Sequence, residues 1–374
     1  MPIQFDPKIS IHETKDAAST EQEQFKTPKA PVALHNTDQI DTTNYGQASS
    51  LSPKNPLSAM GPSNASEPLQ ATLERLHLYI KQNPAANTVQ QVLMLCCRLY
   101  AFRRASGPRQ KLFTFCSQLK DEYLECAVEL DAIKTFLEAE GMLHMLTMAD
   151  TMQAVSMLIT GLAKNQANLA SDSVLNSLYQ ATLSRGLLQF ASHFPEQCQE
   201  QLEMNIATIY EQAIAAAETA ITLNPELPDG YVALARAVFS NDDPEAISDA
   251  LTLAHYAQQL DPQYDPADLV VAVCMRLQGK IQESLTQIDK ILQRGNSLPQ
   301  AFVAKSQAHM DLQDYSAAEK ALKRALEQVD ESSIFYVDAI RLATLLKQDV
   351  LVDQYREQLK PIFGDSLTEV IKDS

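Results

Sequence analysis

The sequence has no tryptophan, only 10 glycines in 374 residues, and no apolar run long enough to cross a bilayer, which takes ~18 residues or more. So few glycines leave little material for turn-rich β structure or for phosphate-binding loops. The N-terminal stretch "MPIQFDPKIS" lacks the apolar segment of a signal peptide. These absences predict a mostly α-helical cytoplasmic protein without a membrane span.

Positive charge is also scarce. The chain has 30 Lys and Arg against 47 Asp and Glu, a net charge of −17. Nucleic-acid phosphates would be repelled by such a surface, so we expect no nucleic-acid partner. One basic stretch is the exception, and it consists of Arg98, Arg103, Arg104, Arg109 and Lys111. We interpret it as a solvated helix end and loop, or as a contact for an acidic protein.

Motifs for catalysis, cofactors and metals are absent. The six cysteines form no C-x-x-C pair and lie in apolar or helical contexts, which indicates reduced, buried thiols. There is no G-x-G-x-x-G, G-x-x-x-x-G-K-[ST], H-E-x-x-H or G-x-S-x-G motif, and the seven histidines are scattered. An enzyme within residues 67 to 200 would need a pocket with converging polar groups, whereas that segment offers mostly Leu, Met, Phe and Cys. We therefore predict no cofactor, no metal and no enzymatic activity.

Composition divides the chain before any repeat is considered. Residues 1–66 are rich in Ser, Thr, Asn, Gln and Pro and have few large apolar side chains, which predicts a disordered tail. Such a tail is either a solvated linker or a recognition or export segment. From residue 67 to about 200, apolar residues recur every three or four positions, which predicts a helical domain whose family we cannot name.

Methionines mark one stretch of this domain, "GMLHMLTMADTMQAVSM". Met142, Met145, Met148 and Met152 recur every three or four residues and predict one helical stripe beside His144. Three interpretations stay open: core packing, an adaptable face for a variable partner, or a Cu(I) site of thioethers and imidazole.

A repeat begins after residue 200. The segments "LNP", "LDP", "RGN" and "QVD" end at positions 225, 262, 296 and 330, which are 37, 34 and 34 residues apart. Small or apolar residues precede each end by twelve, eight and five positions: Ala213, Ala217, Ala220, Ala250, Ala254, Ala257, Ser284, Ile288, Ile291, Ala318, Leu322 and Ala325. This spacing places them on one helical face, where small side chains allow close helix approach. Pro228 and Pro266 suit the first turn of the next helix, and Asp265 is a candidate N-cap.

The segments "EQAIAAAETAITLNP" and "DYSAAEKALKRALEQVD" resemble the second helix of the tetratricopeptide repeat (TPR), a helix–turn–helix unit of about 34 residues. The resemblance covers residues 201–364, with three or four repeats, the last one degenerate and capping, before a C-terminal tail at 365–374. It implies an all-α protein with a disordered N-terminal tail, a helical domain and a C-terminal TPR-like solenoid.

The resemblance also implies a binding groove, because several first-helix positions of TPR units line a concave surface that receives a peptide or helix. Transferred to this sequence, those positions are Val232, Arg236, Phe239, Leu269, Val273, Arg276, Val303, Gln307, Met310, Val337 and Arg341. An apolar lining with arginines suits an amphipathic, acidic segment of another protein. The alternative is that several of the apolar residues pack against the upstream helical domain.

The function that follows is a non-catalytic protein–protein interaction scaffold, or an adaptor or chaperone that binds a partner segment in the groove. The alternative is a regulator, chaperone or substrate of a bacterial protein-secretion system, with the N-terminal tail as an export or recognition signal. The sequence specifies no oligomeric state.

Overall fold

The computed structural model of the protein describes residues 69–82, 106–168, 173–202, 204–239, 243–294, 298–329 and 333–364, together with Leu367 and Ile371. These residues form α-helices and one 3-10 turn, and no strand occurs within the described ranges. The predicted disordered tail at 1–66 lies outside them, and so do Arg98, Arg103 and Arg104 of the basic stretch.

Within the described residues, six helices precede the recognised repeats: α1 Leu69–Gln82, α2 Ser106–Glu122, α3 Ala127–Met145, α4 Met148–Asn168, α5 Ser173–His193 and α6 Pro195–Leu202. Nine follow in the repeat region: α7 Ile206–Leu223, α8 Pro228–Val238, α9 Pro244–Leu260, α10 Asp265–Leu277, α11 Ile281–Gln293, α12 Pro299–Asp311, α13 Tyr315–Leu326, α14 Phe335–Leu345 and α15 Asp349–Phe363.

The small residues at fixed offsets form the buried faces of the second helices, as predicted. Ala217 of α7, Ala254 of α9 and Ala318 of α13 are fully buried, and so is Ser284 of α11. Each of these helices packs along its partner: α8 with α9, α10 with α11 and α12 with α13. A flat face of small side chains lets the two backbones approach closely, which explains why alanine recurs there.

Local signals set the helix boundaries. Asn205, Asp243 and Asp314 cap α7, α9 and α13, and each side chain accepts a hydrogen bond from a backbone N–H of the first turn, at 2.8, 2.9 and 3.2 Å. Pro228 and Pro266 lie in the first turns of α8 and α10, where a missing N–H costs nothing.

The N-cap prediction for Asp265 is wrong. Tyr264 is the N-cap of α10 and makes no side-chain capping bond, while Asp265 lies inside the first turn. The Asp265 carboxylate is fully buried and accepts a hydrogen bond from Arg294 Nη1 at 2.6 Å. This pairing to an arginine of the following helix outcompetes a capping bond because it compensates the burial of the charge.

The first helices form an inner row in which α8 contacts α10, α10 contacts α12, and α12 contacts α14. Helix α5 continues the row upstream, since it packs against both α7 and α8. Ser177 Oγ of α5 donates a buried 2.8 Å hydrogen bond to the Ala220 carbonyl of α7. We propose on this basis that α5 and α7 form a helix pair, which would place the start of the array near residue 173 rather than 201.

The last helix pair returns to the helices that precede the repeats. The Ile334 N–H donates to the Leu146 carbonyl at 3.2 Å, next to the end of α3. Gln197 of α6 donates to the carbonyl of Ile362 at 3.5 Å. A single hydrophobic core therefore contains residues from the upstream helices and from α14 and α15. This closure places the concave faces of α8 and α10 opposite α3 and α5.

Candidate functional site

A cavity of about 490 Å³ lies on the concave side of the inner row. Its walls come from the end of α3, from α5 and α7, from the end of α8, from α10 and from the beginning of α12. The lining residues are Leu143, His144, Leu146, Arg185, Leu188, Gln189, Ser192, His193, Tyr210, Ala235, Arg236, Phe239, Pro266, Leu269, Val270, Val273, Leu298 and Gln300. A concave, mainly apolar cavity with a few polar groups is the usual form of a binding site.

Four of the residues predicted to line a groove lie in this cavity: Arg236 of α8, Phe239 directly after α8, and Leu269 and Val273 of α10. Val232 does not, because its side chain is 4 % exposed and packs in a core between the α8–α9 pair and α10. Four of the predicted groove residues thus line one cavity, and their role in binding a partner stays a prediction.

The predicted groove residues of the later units do not line the cavity. Val303 and Val337 are buried in the core that also contains Leu143 and Leu146, in line with the alternative of packing against upstream helices. Met310 is partly buried against the same core.

Three polar residues of the predicted groove that do not line the cavity are engaged within the chain. Gln307 Nε2 donates to Asp338 Oδ1 at 3.1 Å, and Arg276 Nη1 lies 2.9 Å from Asp311 Oδ2. Arg341 Nε donates to the Ile371 carbonyl at 3.3 Å. Ile371 thus contacts the last helix pair.

Sequence reasoning missed the upstream wall. Four polar residues of α5 are separated by four, three and one positions, a spacing that places them on one face of the helix: Arg185, Gln189, Ser192 and His193. That periodicity was a usable signal, but α5 lies outside the recognised repeats, so nothing in the TPR resemblance pointed to it. The segment 67–200 therefore does contribute converging polar groups to a cavity, contrary to expectation.

A buried ion pair holds Arg185 at this wall. The Glu140 side chain of α3 is 2 % exposed; its Oε1 accepts from Arg185 Nη1 at 3.3 Å, and its Oε2 lies 3.2 Å from Arg185 Nη2. Thr182 Oγ1 donates to Glu140 at 3.2 Å, and His144 Nε2 lies 3.6 Å away. These contacts satisfy a carboxylate that would otherwise be costly to bury.

Two imidazoles line the cavity, those of His144 and His193. Burial lowers the pKa of His193 to about 4. Burial also lowers the pKa of His144, assisted by the charges of Arg185 and Arg109 and opposed by Glu140. Both imidazoles are therefore neutral at pH 7. Among the lining residues, all of which belong to the described part of the chain, none is Asp or Glu.

The methionine stripe does not lie on one helix, so that prediction is wrong. Helix α3 ends at Met145, Leu146 adopts a left-handed conformation with φ 58°, and α4 begins at Met148. Thr147 starts the new helix, because its Oγ1 accepts the Asp150 N–H at 3.1 Å. Met142, Met148 and Met152 are partly buried against the core, as in the packing interpretation.

The metal-ligating and thiol side chains show no clustered site within the described ranges. No group of three or more His, Cys, Asp or Glu residues there could hold a metal ion. Cys116, Cys126, Cys198 and Cys274 are free and buried, as expected. Burial raises the pKa of Cys198 to about 12 and that of Cys274 to about 11, which keeps both thiols protonated and unreactive. None of the helices the structure describes combines the length and hydrophobicity needed to cross a bilayer.

Comparison with known proteins finds no matching family model and no matching curated protein. Among solved structures, the chain is similar to a thermophilic TPR protein of Thermus thermophilus, with 16 % identity over 56 % of this chain and 91 % of that one, TM-score 0.37. It is similar to Pseudomonas aeruginosa PilF, with 13 % identity over 71 % and 99 % of the two chains, TM-score 0.36. It is also similar to the human IFIT1 dimer with m7Gppp-AAAA, with 12 % identity over 81 % and 67 %, TM-score 0.52.

At these identities the similarity concerns the fold alone. Three features of the structure agree with this fold: the helix pairs, their small-residue faces and the inner row of first helices. The protein has an all-α, TPR-like fold.

Proposed function

We propose that the protein is a non-catalytic interaction protein that holds a segment of another protein on its concave face, at the cavity between α5, α8 and α10. One observation carries the proposal: this concave cavity is mainly apolar, and its lining includes Arg185 and Arg236 but no Asp or Glu, with Glu140 directly behind Arg185.

The size of the cavity limits what enters it. A volume of about 490 Å³ is in the range of sites that enclose small ligands, ~300 to 1,000 Å³. A whole helix would not fit, whereas a few anchoring side chains of a longer segment would. Leu269, Val273 and Phe239 supply the apolar surface against which such anchors would pack.

The partner segment is amphipathic and acidic. Its apolar side chains would be buried in the cavity, and its acidic residues would be attracted by Arg236 and repelled by most of the remaining surface. Adaptor and chaperone roles are both consistent with holding a segment in this way. A role in bacterial protein secretion would depend on residues 1–66, which lie outside the described residues, and it remains a prediction.

Selection of peptides displayed on phage, with the wild-type protein immobilised, tests the proposal. We expect selected peptides to combine apolar and acidic residues, and to lose binding at least tenfold when Val273→Trp fills the cavity. Tyr256→Trp introduces the same side chain on α9, outside the cavity lining, and serves as the matched control.

Circular dichroism and thermal unfolding would establish that both variants are folded. Peptides that bind wild type, Val273→Trp and Tyr256→Trp equally would contradict the assignment of the interaction to this cavity.

A further inference from the structure

The wall of the cavity that α5 provides carries uncharged hydrogen-bonding groups. Arg185, at one end of this face, is paired with the buried Glu140 of α3. Further along α5, Gln189 and Ser192 line the cavity, and Tyr210 of α7 lies next to Ser192. Because Glu140 compensates the charge of Arg185, this stretch of the wall offers neutral donors and acceptors to a ligand.

Gln189 keeps hydrogen-bonding capacity that the fold does not use. Its Nε2 donates to Thr151 Oγ1 of α4 at 3.0 Å, which is the hydrogen bond that the described part of the chain gives this side chain. A primary amide has two N–H donors and a carbonyl acceptor, so one N–H and the oxygen remain. Thr151 is fully buried, and its hydroxyl therefore holds the Gln189 amide in place before a segment binds.

The hydroxyls of Ser192 and Tyr210 also have a donor to spare. Their oxygens are 3.0 Å apart, so one hydroxyl donates to the other. Two hydroxyls carry two O–H donors, and this contact uses one of them. Ser192 is exposed and Tyr210 is half-buried, so the second O–H is available to a ligand at the open side of the cavity.

We propose that this wall binds the main chain of the partner segment in an extended conformation. The Gln189 amide hydrogen-bonds with a backbone N–H and a backbone C=O of the segment, and the Ser192–Tyr210 pair donates to a second C=O. Apolar side chains of the segment then pack on Leu269 and Val273 of α10. The proposal rests on the proposed function, because it names the conformation in which the same cavity takes its segment.

Two physical arguments favour an extended main chain. A helix uses its backbone N–H and C=O groups internally, whereas an extended segment presents both to its surroundings. Residues three apart on a helix, such as Gln189 and Ser192, have Cβ atoms ~5–6 Å apart. Groups on one edge of an extended chain recur every two residues, at ~6.8 Å, so one segment can meet both side chains.

N-methylation of the peptide backbone tests the proposal. One cavity-dependent peptide from the phage selection is methylated at each backbone nitrogen in turn and titrated into the full-length protein. At one position beside the apolar anchor, we expect binding to weaken about fivefold or more, because the methyl group removes the N–H and leaves the Gln189 oxygen without a donor. In the double variant Thr151→Val/Gln189→Leu, methylation at that position should weaken binding about twofold or less.

The double variant separates the hydrogen bond from other effects of the methyl group. It replaces both partners of the contact between Thr151 and Gln189, so the change itself leaves no buried polar atom unpaired. Gln282→Leu, which removes an exposed glutamine of α11, should retain the full methylation effect. An equal effect in wild type and the double variant, or tolerance of methylation at every position, would overturn the role of Gln189.

Two further measurements test the conformation and the hydroxyl pair. A lactam bridge between peptide residues i and i+4, at positions that tolerate alanine, fixes a helix and should weaken binding about tenfold or more. Equal or tighter binding of the bridged peptide would overturn the extended conformation. Ser192→Ala/Tyr210→Phe should weaken binding of the unmodified peptide about threefold or more, and unchanged affinity would overturn the assignment of the hydroxyl pair. Each contrary outcome leaves the proposed function in place, whereas failure to select any cavity-dependent peptide would contradict both.

Discussion

The ring of Phe194 stacks on the ring of Phe363, with centroids 5.6 Å apart and planes inclined by 16°. Phe194 lies between α5 and α6, and Phe363 ends α15, so the contact joins the upstream helices to the last helix of the array. Both side chains are buried, at 0 % and 4 % exposure. Core packing therefore contributes to the closure of the array.

A double-mutant cycle measures this closure. Phe194→Leu, Phe363→Leu and the double variant should give a coupling free energy of about 0.5–1.5 kcal/mol in urea unfolding, the range for aromatic pairs beyond area burial. Additive effects of the two single variants would show that the rings do not stabilise each other.

The small-residue face gives a second prediction. Ala217→Leu should destabilise the protein by about 1–3 kcal/mol, because Ala217 is fully buried where α7 packs closely against its neighbours. Ala215→Leu is the control, since it makes the same change two residues away on the exposed face of α7. Guanidinium-induced unfolding measures the free energy of unfolding of both variants. Equal values would contradict the role of this face in close helix packing.

These faces show what the sequence could predict. The offsets of Ala213, Ala217 and Ala220 before Pro225 sufficed to place α7 and its buried side, because alanine spacing reports directly on close helix approach. The break at Thr147 was also readable, as Thr147 and Asp150 have the spacing of a capping box. The closure of the array through Phe194 and Phe363 could not be predicted from the sequence, because contacts between distant segments leave no local periodicity.

The buried carboxylates between α10 and α11 give a third prediction. Arg294 contacts both Asp265 and Asp268, which are 0 % and 3 % exposed. Arg294→Met should cost about 3–5 kcal/mol, because it leaves buried charges without their partner.

Arg324→Met is the matched control for that variant. Its partner Glu327 is exposed, so the loss of this surface pair should cost under about 1 kcal/mol. Thermal or denaturant unfolding at pH 7 compares the two, and a similar small loss for both would contradict the proposed role of Arg294.

The lowered pKa of His193 predicts a pH dependence. The unfolded chain binds a proton on this imidazole near pH 6.5, whereas the folded protein binds it only near pH 4. The unfolded state therefore holds more protons in this interval, and stability should fall as the pH decreases from 6.5 to 4. The decrease in the free energy of unfolding caused by the His193 imidazole is at most about 3 kcal/mol.

His193→Gln tests the assignment, with His255→Gln on an exposed position as control. Unfolding free energies measured from pH 7 to pH 4 should decrease less steeply for His193→Gln than for wild type. Some slope should remain, because the pKa of His144 is lowered as well. Parallel curves for wild type and His193→Gln would contradict the prediction.

The site was only partly predictable for a physical reason. Position-by-position transfer from the TPR pattern found Arg236, Phe239, Leu269 and Val273, because the inner faces of first helices are set by the repeat itself. It could not anticipate that Val303 and Val337 would be buried in the core shared with the upstream helices, nor that α5 would supply the opposite wall. Both depend on how the array closes on itself.

The central claim is that a partner segment binds in the concave cavity, and photo-cross-linking tests it most directly. A benzophenone amino acid would replace Phe239 in the cavity or, in a second protein, the 37 % exposed Tyr256 on α9. With a peptide selected on the wild-type protein, the account predicts strong cross-linking from position 239 and little from position 256. Cross-linking from position 256 without any from position 239 would contradict it.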